Sequence, residues 1–223
     1  MKNNIDLSLY LVTDRKCLKN KDLNSAIEEA ILGGVTLVQL REKSSDSLEL
    51  FNIAKEVKKI TDKHNIPLII DDRIDIAMAV DAAGVHLGQE DIPCNVARKI
   101  LGSDKIIGVS AHNIKEALKA QNDGADYLGC GSVFNTTTKN NVTSLKIQEL
   151  REIKEKVNIP VVAIGGINEK NVLELRGTGI DGIAIVSAIL GKDNIKKAAE
   201  ELKYTIEFKW FYSIFLYTLE KYT

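Results

Sequence analysis

Several features that define large protein classes are missing from this sequence. It has only three cysteines in 223 residues, they lie far apart, and no Cys-x-x-Cys pair occurs. The sequence therefore predicts neither a disulfide framework nor a structural zinc site. No run of about 18 apolar residues is present, and the N-terminus lacks the apolar stretch of a signal peptide. We expect a protein of the reducing cytoplasm with no membrane span.

An excess of one charge is missing as well. Lys and Arg number 30, Asp and Glu number 31, and the formal net charge is -1. Such a balance gives no broad positive field, so nucleic acid is not expected as a partner. A local pocket for a small anion stays compatible with this composition. With 44% hydrophobic and 27% charged residues, the chain can bury a full core.

A repeat fills most of the chain: an amphipathic helical stretch, a stop at glycine or small residues, and then a short apolar run. The first helical stripe runs from Leu23 to Ile31, where Ser25 and Glu28 resemble a capping box. A second stripe covers 50–60, and further helices are predicted near 74–80, 95–101, 114–123, 145–157, 168–176 and 193–203. The apolar runs predict eight strands at 9–12, 35–40, 68–70, 85–87, 106–109, 127–130, 161–164 and 183–186.

This alternation predicts an α/β protein with a single (β/α)8 TIM barrel over residues 1–203. A doubly wound open sheet has the same alternation, but eight units within roughly 200 residues favour the closed barrel. Residues 204–223 form an atypical aromatic-rich C-terminal extension. It holds eight of the twelve aromatic residues of the chain, which are six Tyr, five Phe and one Trp. An extra terminal helix or a subunit contact is the plainest interpretation; a membrane-surface helix and an altered reading frame are alternatives. A homo-oligomer is compatible with such a tail.

Active sites of these barrels lie after the strands, at their carboxyl ends. After the second strand, Gln39, Arg41 and Lys43 alternate onto one face, whereas Leu40 points toward the helices. Two cations at the barrel mouth predict an anionic ligand, and the alternative is a structural Arg–Glu pair through Glu42.

Carboxylates follow the next two strands. Asp71 and Asp72 come after the third strand and Asp91 after the fourth. Oxygen ligands together with a diphosphate are the usual environment of Mg²⁺, which makes Asp72 and Asp91 metal candidates. Helix N-capping by one or both is an equal alternative.

Later loops carry small hydroxyls and glycines. Ser110 follows the fifth strand, with helix capping as its alternative role. The polar loop after the sixth strand, with Thr136, Thr137, Thr138 and Lys139, suits phosphate oxygens, although it could be a plain solvated connection. Gly165 and Gly166 after the seventh strand, and Val186 and Ser187 after the eighth, occupy the usual phosphate site of such barrels. His86 and Cys130 are expected to be buried core residues, while His112 stays undecided.

These residues, in this order, resemble the thiamine-phosphate synthase family. The resemblance runs from Tyr10 to about Leu202. It rests on Gln-Leu-Arg-Glu-Lys at 39–43, Asp-Asp-Arg at 71–73, Gly-Val-His-Leu-Gly-Gln-Glu-Asp at 84–91, Gly-Val-Ser at 108–110, Thr-Thr-Thr-Lys at 136–139, Ile-Gly-Gly-Ile at 164–167 and Val-Ser at 186–187.

The resemblance implies a transferase with two small-molecule substrates. It implies that hydroxymethylpyrimidine diphosphate is held by Gln39, Arg41, Lys43, Asp71, Ser110 and Lys139, with Leu40 and Glu42 as neighbouring contacts. The thiazole phosphate would be held by Thr136, Thr137, Thr138, Gly166, Val186 and Ser187. Mg²⁺ would lie on Asp72 and Asp91, and the catalytic residues would be Arg41, Lys43, Ser110 and Lys139. Diphosphate would leave first, and the thiazole nitrogen would then capture a pyrimidine methylene cation.

Three positions depart from the family pattern: Asp71 stands where Asn is frequent, Asn135 where Pro is usual, and Asn141 where Asp is frequent. Asp71 would either repel the diphosphate or tighten metal binding. Two other functions on the same barrel are a thiazole tautomerase and a non-catalytic binder of thiazole or thiamine phosphates. Arg41, Lys43, Asp72, Asp91 and Lys139 together argue against the tautomerase, which needs no diphosphate site.

Overall fold

The computed structural model describes residues 5–135 and 145–210, and within them eight parallel strands close into one barrel in chain order. Each strand pairs with its neighbours along the chain, and the last pairs back onto the first through Leu9 and Ile183. This closure confirms the predicted (β/α)8 TIM barrel and rules out the open sheet. The strands are β1 Leu9–Val12, β2 Leu37–Leu40, β3 Leu68–Asp71, β4 Gly84–Leu87, β5 Ile106–Ala111, β6 Tyr127–Gly131, β7 Val161–Ile164 and β8 Gly182–Ile185.

Helices cover the outside of the barrel. They are α1 Leu23–Leu32, α2 Ser47–Lys63, α3 Ile74–Ala79, α4 Cys94–Leu101, α5 Ile114–Asn122, α6 Ile147–Lys156, α7 Ser187–Leu190 and α8 Ile195–Tyr204. Short 3₁₀ turns lie at Arg15–Cys17 and Val172–Leu175, and a π-helical turn covers Thr205–Trp210. Within the described part of the chain, no helix has the length and apolar character needed to cross a membrane.

Two of the predicted helix features are wrong. The helix predicted over 168–176 is only the 3₁₀ turn Val172–Leu175, because Asn168 and Asn171 use their side chains on nearby backbone: the Asn171 amide donates to Gly166 O over 2.9 Å. Such side-chain bonds compete with helical ones. Helix α1 begins one turn earlier than the predicted capping box, since Asp22 is its N-cap and accepts from Ser25 N.

The core has two layers, as alternation along buried strands requires. One layer fills the space between strands and helices, and Ile206 of the π-helical turn also packs there. The other layer fills the barrel interior and includes Tyr10, Leu37, Ile69 and Tyr127. The first layer holds the strands in place, and the second closes the floor beneath the site. Of the aromatic extension, residues 211–223 lie outside the described residues.

Candidate active site

A cavity of about 830 Å³ opens at the carboxyl ends of the strands. Its walls come from residues after all eight strands, and its floor comes from side chains inside the barrel. The lining includes most of the described residues that the sequence assigns to substrate or metal: Gln39, Arg41, Lys43, Asp71, Asp72, Asp91, Ser110, Gly166, Val186 and Ser187.

The two cations after β2 are held mainly by aspartates and not by the neighbouring Glu42. Lys43 Nζ is 2.8 Å from Asp71 Oδ2 and also contacts Asp72 Oδ2. Arg41 is more loosely placed, with its nearest carboxylate oxygens at 3.8 and 3.9 Å on Asp71 and Asp14. Its guanidinium can therefore exchange these contacts for an incoming anion at little cost.

Glu42 pairs instead with Arg15, Nε to Oε1 at 2.8 Å. This contact removes the alternative of a structural Arg41–Glu42 pair. Glu42 and Leu40 do not line the cavity: the Glu42 side chain is buried against Arg15, and Leu40 is fully buried in the layer beneath the helices. The structure therefore gives no support to these two side chains as substrate contacts, which stay predictions.

Asp71, the departure from the family pattern, is partnered by cations. Its Oδ2 atom is buried and, although it is 2.8 Å from Lys43 Nζ, accepts no well-directed hydrogen bond. Burial makes Lys43 easier to deprotonate, but the carboxylates of Asp71 and Asp72 outweigh this effect and raise the Lys43 pKa. The extra negative charge thus keeps Lys43 charged at neutral pH.

Asp72 and Asp91 are neighbours at the mouth. Asp72 has a φ of +59°, which turns the chain sharply after β3, and its amide donates to His86 O over 2.8 Å. Burial raises the pKa of Asp91, and the adjacent Asp72 carboxylate raises it further. Two carboxylates in contact repel unless a proton or a cation lies between them.

Neither aspartate caps a helix. The N-cap of α3 is Arg73 and that of α4 is Pro93, and neither makes a side-chain capping bond. Asp91 Oδ2 instead accepts from Gly88 N over 2.7 Å, a bond that holds it within the loop after β4. The capping alternative for this pair is therefore wrong.

The donor chemistry of this pair fits a hard divalent cation. Mg²⁺ is usually bound through one or two carboxylates, with substrate phosphates and water as the other ligands. Within residues 5–135 and 145–210, no three His, Cys, Asp or Glu side chains are grouped to hold a metal alone. A metal on Asp72 and Asp91 would therefore depend on the substrate for further ligands.

A chain of hydrogen bonds crosses the barrel interior beneath the cavity. Gln39 Nε2 donates to Tyr10 Oη over 2.6 Å, and Tyr10 Oη is 2.8 Å from Tyr127 Oη. Tyr127 Oη is 3.1 Å from His86 Nδ1, and His86 Nε2 is 3.0 Å from Ser110 Oγ. His86 is therefore buried and hydrogen-bonded inside the barrel, as predicted.

Ser110 is part of this interior chain and does not cap the following helix. The N-cap of α5 is Asn113, whose side chain accepts from Glu116 N. His112 also lines the cavity, and its Nδ1 is 2.9 Å from Glu116 Oε2. Cys130 is buried, which raises its thiol pKa to about 12, so it is no nucleophile.

The glycine pair after β7 gives the site its other wall. Gly165 and Gly166 have φ of +100° and +69°, and a Cβ on either would collide with the chain after β6. At Gly165 the nearest atom would be Ser132 Oγ at 2.1 Å, and at Gly166 it would be Asn135 O at 2.5 Å. The two glycines therefore let the loops after β6 and β7 pack directly on each other.

Ser187 begins the four-residue helix α7, with Val186 before it, where the sequence predicted that a helix starts after the eighth strand. A second cavity of about 500 Å³ shares Gly166, Ile167 and Ser187 with the main one, and Lys170 and Lys192 line it. Lys192 Nζ is 2.9 Å from Glu169 Oε1. The predicted contacts of Thr136, Thr137, Thr138 and Lys139, and the departure at Asn141, lie outside the described residues.

Sequence reasoning missed the two tyrosines of the cavity floor. Tyr10 and Tyr127 are nearly or fully buried, and their rings meet edge to face with centroids 5.9 Å apart. The available signal was the alternation within β1 and β6, which turns both rings inward. That signal does not show that residues 117 positions apart share a hydrogen bond.

Comparison with known proteins identifies the family of this chain. The sequence model described as thiamine monophosphate synthase matches residues 9–189. The chain belongs to this family. The thiamine-phosphate synthase of Clostridium tetani is 63% identical over 89% of the chain and 95% of its own length. That of Clostridium beijerinckii is 58% identical over 91% of the chain and 97% of its length.

A solved structure supports the same family. Thiamine phosphate pyrophosphorylase from Pyrococcus furiosus is 44% identical, covers 91% of this chain and 96% of its own, and superposes with a TM-score of 0.83. A pyrophosphorylase from Bacteroides thetaiotaomicron, at 18% identity and a TM-score of 0.64, shares the fold. The resemblance read from the motifs is confirmed, and the family is one of transferases in thiamine biosynthesis, consistent with a metal-assisted reaction.

Proposed function

We propose that this chain joins hydroxymethylpyrimidine diphosphate to thiazole phosphate, giving thiamine phosphate and diphosphate. The observation that carries the proposal is the mouth of the barrel, where Lys43 contacts Asp72 of the Asp72–Asp91 pair and Arg41 faces Asp71. Cations and a carboxylate pair at one edge suit a metal-bound diphosphate. A thiazole tautomerase needs no diphosphate site, and therefore neither the two cations nor the carboxylate pair.

The diphosphate would lie across Arg41 and Lys43. The ion pairs of Arg41 to Asp71 and Asp14 are long, at 3.8 and 3.9 Å, and Lys43 is kept charged by Asp71 and Asp72. Both cations can approach the leaving oxygens as negative charge grows there, which lowers the barrier more than it stabilises the ground state. Lys139 would add a third cation if its loop reaches the same group.

Asp72 and Asp91 would hold Mg²⁺. When bound, the ion would neutralise charge on the diphosphate and relieve the repulsion that raises the Asp91 pKa. The pyrimidine ring would lie over the interior hydrogen-bonded chain, between Gln39 and Ser110. The thiazole phosphate would bind at Gly166, Val186 and Ser187, with Thr136, Thr137 and Thr138 as further contacts.

The chemistry needs no general base. The bond from the pyrimidine methylene carbon to the diphosphate oxygen breaks, and its electron pair leaves with diphosphate. The ring stabilises the resulting methylene cation, and the lone pair of the thiazole nitrogen forms the new carbon–nitrogen bond. The residues of the mouth therefore bind the diphosphate and stabilise the charge that grows on it.

The test is diphosphate release by the full chain with each component omitted in turn. We expect release only with Mg²⁺ and both substrates together, in a reducing buffer that suits the cytoplasmic location we propose. Isomerisation of the thiazole without diphosphate release would show a tautomerase. Binding of thiazole phosphate without any turnover would show a non-catalytic binder.

A further inference from the structure

The hydrogen-bonded chain in the barrel floor links the directions in which its protons point. Each phenol has one proton to donate, and neutral His86 donates from one ring nitrogen and accepts at the other. If all these protons are donated within the chain, they must all point one way or all point the other. The direction chosen at one end fixes the direction at the other.

The Gln39 amide sets this direction. Its Nε2 donates to Tyr10 Oη, so the Tyr10 proton is available to Tyr127 Oη, and the Tyr127 proton goes to His86 Nδ1. His86 then carries its proton on Nε2 and donates to Ser110 Oγ. Ser110 can then point its own proton into the cavity as a donor, and Gln39 can present its carbonyl oxygen as an acceptor.

Both phenols stay neutral, so the chain keeps its protons. Tyr10 is 2% exposed and Tyr127 is fully buried. Burial is the largest cause that raises the pKa of each phenol far above its ordinary value, and the charge of Asp71 raises both further. Each phenol therefore keeps its one proton, and with Gln39 donating to Tyr10 the one-way order is the arrangement that gives both phenol protons an acceptor within the hydrogen-bonded chain.

The barrel is built to admit these rings. A Cβ at Gly108 would lie 2.1 Å from Tyr127 Cζ, and Gly108 is the residue directly beside Tyr127 on the neighbouring strand. A Cβ at Gly129 would lie 2.9 Å from His86 Cε1. Glycine at these two strand positions leaves space that the tyrosine and histidine of the chain occupy.

We propose that Tyr10, Tyr127 and His86 are positioning residues that fix the donor and acceptor pattern of the pyrimidine subsite. Ser110 presents a hydroxyl proton, and Gln39 presents a carbonyl oxygen. An aminopyrimidine has the complementary pattern, because its ring nitrogens accept and its amine donates. The corresponding oxopyrimidine has a ring N–H and a carbonyl oxygen in those places and is rejected. This inference rests on the proposed function for the identity of the ring.

The direction of the chain can be measured without any turnover. The protein has three histidines, so ¹⁵N NMR of their side chains reads the tautomer directly. The His86→Gln variant assigns the signal of His86. We expect neutral His86 with its proton on Nε2 in the unaltered protein. A proton on Nδ1 means that the chain runs in the opposite direction and overturns the proposal.

The specificity test uses Tyr127→Phe, which keeps the ring and removes the hydroxyl at the middle of the chain. The unaltered enzyme should prefer the aminopyrimidine diphosphate over its oxo analogue by about 100-fold or more in kcat/KM. In Tyr127→Phe we expect that ratio to fall by at least about tenfold, while thiazole phosphate binding stays unchanged. Tyr204→Phe, which removes an exposed phenol on α8, is the matched control and should keep the full ratio.

The outcomes separate the two claims. An unaltered ratio in Tyr127→Phe, with thiazole phosphate still bound, overturns the positioning role. If that variant does not fold, Tyr10→Phe provides the same test from the Gln39 end, and the tautomer itself is measured in the unaltered protein, with His86→Gln used only to assign the signal. If the unaltered protein makes no thiamine phosphate, the proposed function fails, whereas the His86 tautomer still decides the direction of the chain.

Discussion

Gly108→Ala gives the strictest test of how the barrel interior is packed. The new Cβ would lie 2.1 Å from Cζ, 2.4 Å from Oη and 2.5 Å from Cε1 of Tyr127, whereas carbon atoms in contact normally lie about 3.5–4.0 Å apart. Because Tyr127 is fully buried, its ring must move by more than an ångström into an already filled core. That shift also breaks its hydrogen bonds to Tyr10 and His86.

The expected cost follows from these two effects. Overpacking a core costs about 1–3 kcal/mol, and a lost internal hydrogen bond costs about 1 kcal/mol. With so short a contact we expect about 3 kcal/mol in the free energy of unfolding, measured by urea denaturation and far-UV circular dichroism. For a chain of this length the melting temperature should fall by about 6–12 °C.

A double-mutant cycle shows whether the cost comes from this contact. Tyr127→Leu is destabilising by itself, but it removes the ring atoms that the alanine meets. Gly108→Ala should therefore add little to Tyr127→Leu, which gives a coupling of about 2–3 kcal/mol between the two positions. A cost below about 0.5 kcal/mol for Gly108→Ala alone, or costs that simply add, would refute the packing argument.

Three further predictions concern the mouth and the floor. Arg41→Ala should lower kcat/KM by at least about 100-fold with the melting temperature nearly unchanged, because its ion-pair distances are long; a loss below tenfold contradicts its role. Asp72→Asn, which tolerates the positive φ, should raise the Mg²⁺ concentration for half-maximal activity by at least about tenfold, and an unchanged metal requirement contradicts the site. Of the six tyrosines, Tyr10 and Tyr127 should not ionise in the folded protein during an ultraviolet absorbance titration. Since their folded pKa values are raised, the folded state retains protons that the unfolded chain loses, so stability should fall as pH rises above about 10; a pH-independent stability there contradicts the burial.

The barrel could be predicted from the sequence because each strand is a short apolar run bounded by a clear stop. All eight predicted strands are present, and β1 and β7 have the predicted ends. The wall residues could also be predicted, since in this fold the residues after each strand face the mouth. Gln39, Asp72 and Ser187 line one cavity although their loops are far apart in sequence.

What could not be predicted depends on contacts between distant segments. The Arg15–Glu42 pair joins the loops after β1 and β2, and the Tyr10–Tyr127 bond spans the closed barrel. No local pattern shows these partners. The start of helix α7 after the eighth strand could be predicted, but its length of four residues could not, because it is too short for a 3.6-residue period to be visible.

The central claim is that the barrel mouth expels diphosphate from one substrate so that the second can capture the carbon. The most direct measurement is a quenched single-turnover reaction with limiting pyrimidine diphosphate, an excess of enzyme and thiazole phosphate, and Mg²⁺. The account predicts that diphosphate and thiamine phosphate appear at the same rate and in equal amounts until the pyrimidine is consumed. Diphosphate without thiamine phosphate, or no diphosphate at all, would contradict it.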